Sequence, residues 1–202
     1  MIALVDYGLG NIPAFLHIYK QLNLACVRAT TAEELEQADK LILPGVGAFD
    51  WAMQRLEQSG MRPCLDELVL RRKIPVLGVC VGMQMMARSS EEGKTSGLGW
   101  IPGEVRRFDE ANLQGKIRLP HMGWNDVYPK DHLLFKEMKN PRFYFLHSYY
   151  FSADSAQAIL SETDYGGGFA SAVHHEMIFG VQFHPEKSHH WGVQLLKNFA
   201  DL

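Results

Sequence analysis

Short apolar runs of five or six residues punctuate the start of the chain: "IALVDY", "ACVRA", "KLILP" and "IPVLGV". Stretches that read as helix, over 11–21, 31–37, 48–58 and 62–73, alternate with them. This βαβα order restricts the fold sharply. A strand that returns parallel to its predecessor needs a crossover, the crossover is right-handed, and the helices end up covering both faces of the sheet. From 100 to 183 the pattern changes to strand-rich runs, "GEVRRF", "KIRLPHMGW", "RFYFLHSYYF", "AQAILSE" and "FASAVHHEMIFGVQFH", before a closing helix over 189–199. The glycine cluster in "DYGGGFA" reads as a hairpin turn. The expected architecture is a single α/β domain over 1–202. Its sheet is open and mostly parallel, flanked by helices, with antiparallel strands in the C-terminal half.

Composition agrees with a globular chain of this size: 202 residues, 47% hydrophobic. A net charge of −3 argues against nucleic acid or an anionic membrane surface as partner. No apolar run approaches the roughly 20 residues that cross a bilayer, and "MIALVDYGLG" lacks the basic flank and length of a signal peptide. A cytoplasmic protein is expected. Cys26, Cys64 and Cys80 are widely spaced with no CxxC pair, as in a reducing compartment. Cys26 falls in a strand and Cys64 in a helix, where each reads as a small hydrophobe.

Ligands of open α/β sheets bind beyond the carboxyl ends of the strands, where "DYGLGN", "PGVGAF" and "GVCVGMQ" fall. The last carries the most chemistry. Gly78-Val79-Cys80-Val81-Gly82 has the form of a G-x-S-x-G nucleophile elbow with sulfur for oxygen. The turn is expected to expose the thiol at a helix N-terminus, which favours thiolate. The competing reading is an inert thiol in a glycine-rich turn.

A thiol nucleophile needs a base, and nine histidines compete for the role. His17 falls in a helix, and His132, His174 and His175 in polar, turn-like stretches. His184 ends an apolar strand in "GVQFHPEKS", with Glu186 two residues on. Alternation along an extended chain points both side chains the same way, so the carboxylate can orient the imidazole. Two other readings exist for "HPEKSHH": a polar helix start with Ser188 as N-cap, or a metal held by His184, His189 and His190. No cysteine or carboxylate at zinc-like spacing completes a metal set, and no metal or cofactor is assigned.

Taken together, "DYGLGN", "PGVGAFDWAM", "GVCVGMQ", "GLGWIPGEVRRF", "PHMGWN", "FLHSYY" and "VQFHPEKS" resemble the class I, triad-type glutamine amidotransferases over nearly the whole chain. "PHMGWN" and "HSYY" narrow the resemblance to the glutaminase subunits of imidazole glycerol phosphate synthase. It implies that Cys80 attacks the side-chain amide of L-glutamine to give a thioester and ammonia, that His184 shuttles the proton, and that Glu186 orients it. Val81 N–H is placed by elbow geometry to meet the oxyanion. The resemblance implies a second donor from Gly45, Val46 and Gly47 that depends on a peptide turning over, and places Gln84, Ser148 and Tyr149 around the substrate. It also implies a heterodimer with a (β/α)8-barrel cyclase that consumes the ammonia in histidine biosynthesis, docked through Asn11, Trp124, Tyr144 and Lys187.

In one place the chain departs from the family. After "DYGLGN" the family commonly carries leucine, a variable residue and serine, whereas this chain has Ile12, Pro13 and Ala14. Proline near a helix start leaves the fold intact, while loss of a hydroxyl alters what this loop offers a partner. "HHEM" before "IFGVQFHPEKS" has no functional reading. A stand-alone cysteine hydrolase would share the elbow without needing "HPEKS" or "PHMGWN". A non-catalytic binding subunit would not need Cys80, His184 and Glu186 together.

Overall fold

The computed structural model describes residues 1–109 and 118–202. Its first half follows the expected alternation. Strand β1 (Ile2–Val5) leads to helix α1 (Ile12–Gln21), β2 (Cys26–Ala29) to α2 (Ala32–Leu35), β3 (Lys40–Gly45) to α3 (Phe49–Gln58), and α4 (Arg62–Asp66) precedes β4 (Val76–Cys80). Pro13 sits in the first turn of α1, where no intrahelical N–H is lost. Thr31 caps α2 with a capping box, its hydroxyl accepting from Glu34 N while the Glu34 carboxylate accepts from Thr31 N. The helix expected over 62–73 is divided, passing after Asp66 into a π-helical turn over Glu67–Arg71.

Helix α5 (Val81–Met85) is much shorter than its apolar pattern suggests. Arg88 N donates to Gly103 O, and Ser90 pairs with Val105, so the chain leaves the helix to join β5 (Gly103–Arg107). The C-terminal half adds β6 (His121–Asp126), β7 (Tyr128–Pro129), β8 (Arg142–His147), β9 (Tyr149–Ala153), β10 (Ile159–Asp164), β11 (Gly168–His175), β12 (Ile178–Val181) and helix α6 (His189–Asp201). The run "RFYFLHSYYF" is therefore two strands broken at Ser148. "DYGGGFA" is the β10–β11 turn. His174 and His175 lie in β11, not in a turn. Of the strand expected in "KIRLPHMGW", Lys116 and Ile117 lie outside the described residues, and pairing begins at His121.

Among the described residues one sheet runs β2-β1-β3-β4-β12-β11-β10-β7, with β9 also pairing β11 and β5 pairing β9, and β6 and β8 form a separate ribbon. Pairing is parallel from β2 to β12 and antiparallel beyond. The buried faces of β1, β3, β4 and β12 carry the core, as their nearly unbroken apolar runs require. No helix among the described residues is long and apolar enough to cross a membrane.

The start of α5 packs backbone-to-backbone on β3. A Cβ on Gly82 would lie 1.9 Å from Leu43 O, and one on Gly45 would lie 2.4 Å from Gly82 N. Gly82→Ala is therefore expected to destabilise the protein by about 3 kcal/mol or more, since neither neighbour is a flexible side chain. Gly168→Ala, with nothing within 4 Å of the added carbon, should stay within about 0.5 kcal/mol. Thermal or urea unfolding of the two variants checks the contrast.

Candidate active site

The site is assembled by strand order. Because β12 pairs in parallel with β4, Val181 facing Val79, the residues that follow both strands meet at the same end of the sheet. Cys80 and His184 are over a hundred residues apart in the chain and arrive there together. With α5 starting directly after β4, Cys80 adopts φ 55° and ψ −112°, a backbone state that costs a non-glycine residue on the order of 1–3 kcal/mol. The strain of the elbow thus sits on the cysteine itself. Gly78 and Gly82 have no positive φ, and serve by letting the backbones approach.

The thiol is not exposed at the surface as the elbow pattern suggests. Cys80 is 4% exposed and reaches solvent through a cleft of about 340 Å³ lined by Val46, Gly47, Val81, Gln84, Glu92, Ser148, Tyr149 and Lys187, among others. Its Sγ accepts from Gln182 Nε2 at 3.8 Å, its thiol donates to Leu146 O at 3.9 Å, and it shares the cleft lining with the imidazole of His184. His184 Nδ1 in turn meets Glu186 Oε1 at 2.9 Å, with both side chains about 3% exposed. The pairing of His184 with Glu186 holds, by a different route from alternation along a strand. His184 is extended, and Pro185–Lys187 forms a 3-10 turn that swings the carboxylate back under the ring. Ser188 does not cap α6 with its side chain; its hydroxyl donates to His184 O and accepts from Tyr144 N, pinning this turn to β8.

Burial alone would discharge His184. The hydrogen bonds and negative charges of Cys80 and Glu186 override it and push the imidazolium up to about 10. The second carboxylate oxygen, Glu186 Oε2, is buried without a protein donor among the described residues, so the imidazolium is the principal counter-charge of Glu186. Val81 begins α5, its N–H at the helix end. Gly45 faces Cys80 in the β3–β4 register, and Gly47 has φ +86° with open space where a Cβ would be. Val46, 39% exposed, thus lies between a glycine packed on Gly82 and a glycine with open space beside it. Gln84, buried, donates from Nε2 to Tyr149 O and to Gln182 Oε1, each at 3.1 Å.

The residues named for docking gather beside the cleft, Asn11 apart. Trp124 on β6 faces Tyr144 on β8, and Lys187 Nζ lies 5.9 Å from the centre of the Tyr144 ring. Asn11 stands exposed before α1, without a side-chain capping bond. Several residues were missed in the sequence. Glu92 lines the cleft and accepts from Phe49 N at 2.9 Å; a carboxylate in a loop of "SSEEGK" gives no sign of this. Gln182, inside an apolar strand end, is a signal that was available. His121 and His147 are buried, and His147 lines the cleft. Among the described residues no group of His, Cys, Asp and Glu side chains could hold a metal ion.

A thiol, an imidazole and a carboxylate at the strand ends of an α/β sheet have the constitution of a triad-type acyl-transfer protein. Comparison with known proteins narrows that class. The family model for class-I glutamine amidotransferases matches residues 3–202. The imidazole glycerol phosphate synthase subunit HisH of Bdellovibrio bacteriovorus is 55% identical over 205 residues, and that of Leptospira interrogans 51% over 204, each alignment spanning 100% of both chains. HisH 2 of Pseudomonas aeruginosa is 46% identical over 204 residues, again across 100% of both. A crystal structure of a glutamine amidotransferase shares the fold with TM-score 0.78 at 17% identity, covering 99% of this chain and 97% of that one. The PurLQS structure from Thermotoga maritima contains a chain with TM-score 0.73 at 15% identity and the same coverage. The chain belongs to the class-I glutamine amidotransferase family and, within it, to the HisH subunits of imidazole glycerol phosphate synthase.

The histidines set the pH dependence of stability. Burial pushes His121 down to about 4; burial and then the charge of His121 push His147 down to about 3; burial and then His174 lower His132. The unfolded chain takes up these protons below about pH 6.5, while the folded chain does not until the lower values are reached. Stability should therefore fall as pH drops from 6.5 to 5, by roughly 1.4 kcal/mol per pH unit for each proton withheld in full. The raised His184 adds no slope there: its contribution is complete below about 6.5 and is lost as pH rises through about 10. Urea midpoints at pH 6.5, 5.7 and 5 check this, and a flat profile would contradict it.

Proposed function

We propose that this chain is the glutaminase subunit of imidazole glycerol phosphate synthase, a cytoplasmic enzyme of histidine biosynthesis. Residues 1–202 form one glutamine amidotransferase domain that needs no cofactor, and it works as a heterodimer with a (β/α)8-barrel cyclase. The observation that carries the reading is the meeting of Cys80 and His184 in one cleft, with Glu186 Oε1 2.9 Å from His184 Nδ1 behind it, in a chain that matches HisH subunits end to end.

In this mechanism the Cys80 thiolate, facing the His184 imidazolium, attacks the carboxamide carbon of glutamine. The oxyanion is met by Val81 N–H at the start of α5 and by a peptide N–H of the Gly45–Gly47 segment. His184 gives its proton to the departing nitrogen, ammonia leaves, and a γ-glutamyl thioester remains. Water, deprotonated by His184, then releases glutamate and restores the thiol. Glu186 keeps the ring oriented throughout and stabilises the imidazolium each time it forms. Gln84, Ser148 and Tyr149 flank the substrate. Glu92, a carboxylate on the cleft wall, is the acceptor for the substrate's α-ammonium.

The docking reading is supported by the outer face of the β6–β8 ribbon. Met122 faces Leu146 and Trp124 faces Tyr144 across the ladder, and Met122, Trp124 and Leu146 are 65%, 41% and 39% exposed. Leu146 and Lys187 also line the cleft, so a partner seated on this face would roof the cleft and keep ammonia from water. One oxyanion donor is worth on the order of 3 kcal/mol, about a hundredfold or more in rate, so turning one peptide at Val46 suffices as a switch.

Two outcomes are expected. Glutamine hydrolysis by the isolated chain should be slow and should rise by about a hundredfold or more when the cyclase binds its nucleotide; equal rates would favour a stand-alone hydrolase. Cys80→Ala and His184→Ala should each lower kcat by roughly a millionfold and Glu186→Gln by less, roughly ten-thousandfold. An electrophilic glutamine analogue should label Cys80 and spare Cys26 and Cys64; labelling elsewhere, or activity retained in Cys80→Ala, would remove the thiol from the mechanism.

A further inference from the structure

We infer that His121 and His147 form a neutral two-imidazole clamp that fixes the Ser148–Tyr149 corner of the cleft, and so act as positioning residues for glutamine binding. The inference rests on the glutaminase reading and concerns two side chains that the mechanism above does not use.

The chain changes sheets at this corner. β8 pairs with β6 in the ribbon, β9 pairs with β5 and β11 in the main sheet, and Ser148 is the single residue between them. His147, Ser148 and Tyr149 all line the cleft. Ser148 O accepts from Phe108 N at 3.3 Å, just beyond β5, and the His147 side chain spans the break: Nδ1 lies 2.8 Å from Tyr149 O. The same carbonyl accepts from Gln84 Nε2, which is tied through Gln182 to Cys80. The wall of the substrate site and the neighbours of the thiol are thus joined at one peptide oxygen.

The hydrogen bonds fix both tautomers. A carbonyl only accepts, so His147 Nδ1 carries the hydrogen and His147 Nε2 is an acceptor. His121 Nδ1, 2.9 Å away, must then be the donor, leaving His121 Nε2 to accept from Asn125 Nδ2 at 3.3 Å. The Asn125 amide is oriented independently, since Nδ2 also donates to Asp164 O and Oδ1 accepts from Asp126 N. His121 is held in plane between Phe145 and Tyr165, with centroids at 4.6 Å and 3.9 Å. A line that ends on a carbonyl at one side and an amide at the other delivers no proton; it holds geometry. Burial keeps both rings neutral well below physiological pH, so the clamp stays closed over the working range.

The test uses the complex with the cyclase and compares His121→Leu, which fills the space and removes the donor, with His121→Asn, whose Nδ2 replaces Nδ1. Leaving His147 Nε2 without its donor should raise KM for glutamine about tenfold with kcat within about twofold, and His121→Asn should recover most of the loss. Nitrogen NMR of labelled histidines should find His147 as the Nδ1–H tautomer in the wild type and in both variants, with the Nε2 shift of a hydrogen-bond acceptor in the wild type and in His121→Asn and of an unpaired nitrogen in His121→Leu. An unchanged KM in His121→Leu, an equal rise in both variants, or an Nε2–H tautomer at His147 in the wild type would overturn the clamp while leaving the glutaminase reading intact. A wild-type complex that releases no glutamate from glutamine would overturn the reading and the clamp with it.

Discussion

The contact on which the active site depends is between main chains. Val81 and Gly82 of α5 lie so close to Leu43 and Gly45 of β3 that side chains are excluded on both sides. Gly78 extends this layer, since a Cβ there would lie 2.8 Å from Gly82 O. Held this tightly, the helix leaves β4 at an angle that an unstrained residue at position 80 could not supply, and Cys80 takes up the difference with its positive φ. The same approach puts the N-terminus of α5 and the loop after Gly45 side by side, which is where an oxyanion would need both. Tyr7, from the loop after β1, locks the arrangement by donating its hydroxyl to Pro44 O; burial, and then the charge of Cys80, keep that hydroxyl protonated.

Much of this was legible in the sequence because it follows from local rules. The parallel pairing of the first four strands came from alternation, though their order did not, and the elbow came from two glycines around a cysteine. Where the reading missed, tertiary contacts had overruled local pattern. "VGMQMMARSS" has helical periodicity, yet α5 stops at Met85 because Arg88 to Ser90 find partners on β5. Cys80 reads as exposed in an isolated elbow, and the chain after β12 and the corner at Ser148 bury it. Glu186 meets His184 through a turn that alternation along a strand does not describe. His121 and His147 carry no signal of their own, because their pairing exists only once β6 and β8 are in register. The departure at Pro13 and Ala14 was absorbed as expected on the fold side: α1 begins at Ile12 with proline in its first turn.

The cleft and the proposed docking face are not separate regions joined by a relay. Leu146 and His147 are neighbours on one strand, the first presented outward and the second inward, as the pleat of β8 requires. Lys187 follows Glu186 in the same turn and reaches over Tyr144. A partner pressing on Tyr144 or Leu146 therefore acts on backbone that also bears the imidazole, the carboxylate and the substrate corner. Tyr144 O accepts from His184 N at 2.8 Å and Tyr144 N donates to Ser188 Oγ at 3.0 Å, so the two surfaces share hydrogen bonds at one residue. Spatial closeness is not itself coupling, but here few atoms separate the two.

The place of β12 also bears on how such a protein is made. It is central in the sheet, between β4 and β11, yet late in the chain. While a ribosome is still producing the C-terminal segments, β4 has β3 on one side and an open, fully apolar edge on the other, the kind of edge that recruits foreign strands. The thiol at its tip has no imidazole beside it during that interval, because His184 follows β12. Insertion of four residues, Ile178–Val181, closes the edge and delivers the imidazole in the same event. A nascent chain of this fold thus carries an exposed strand edge and an incomplete triad together, and one insertion ends both conditions.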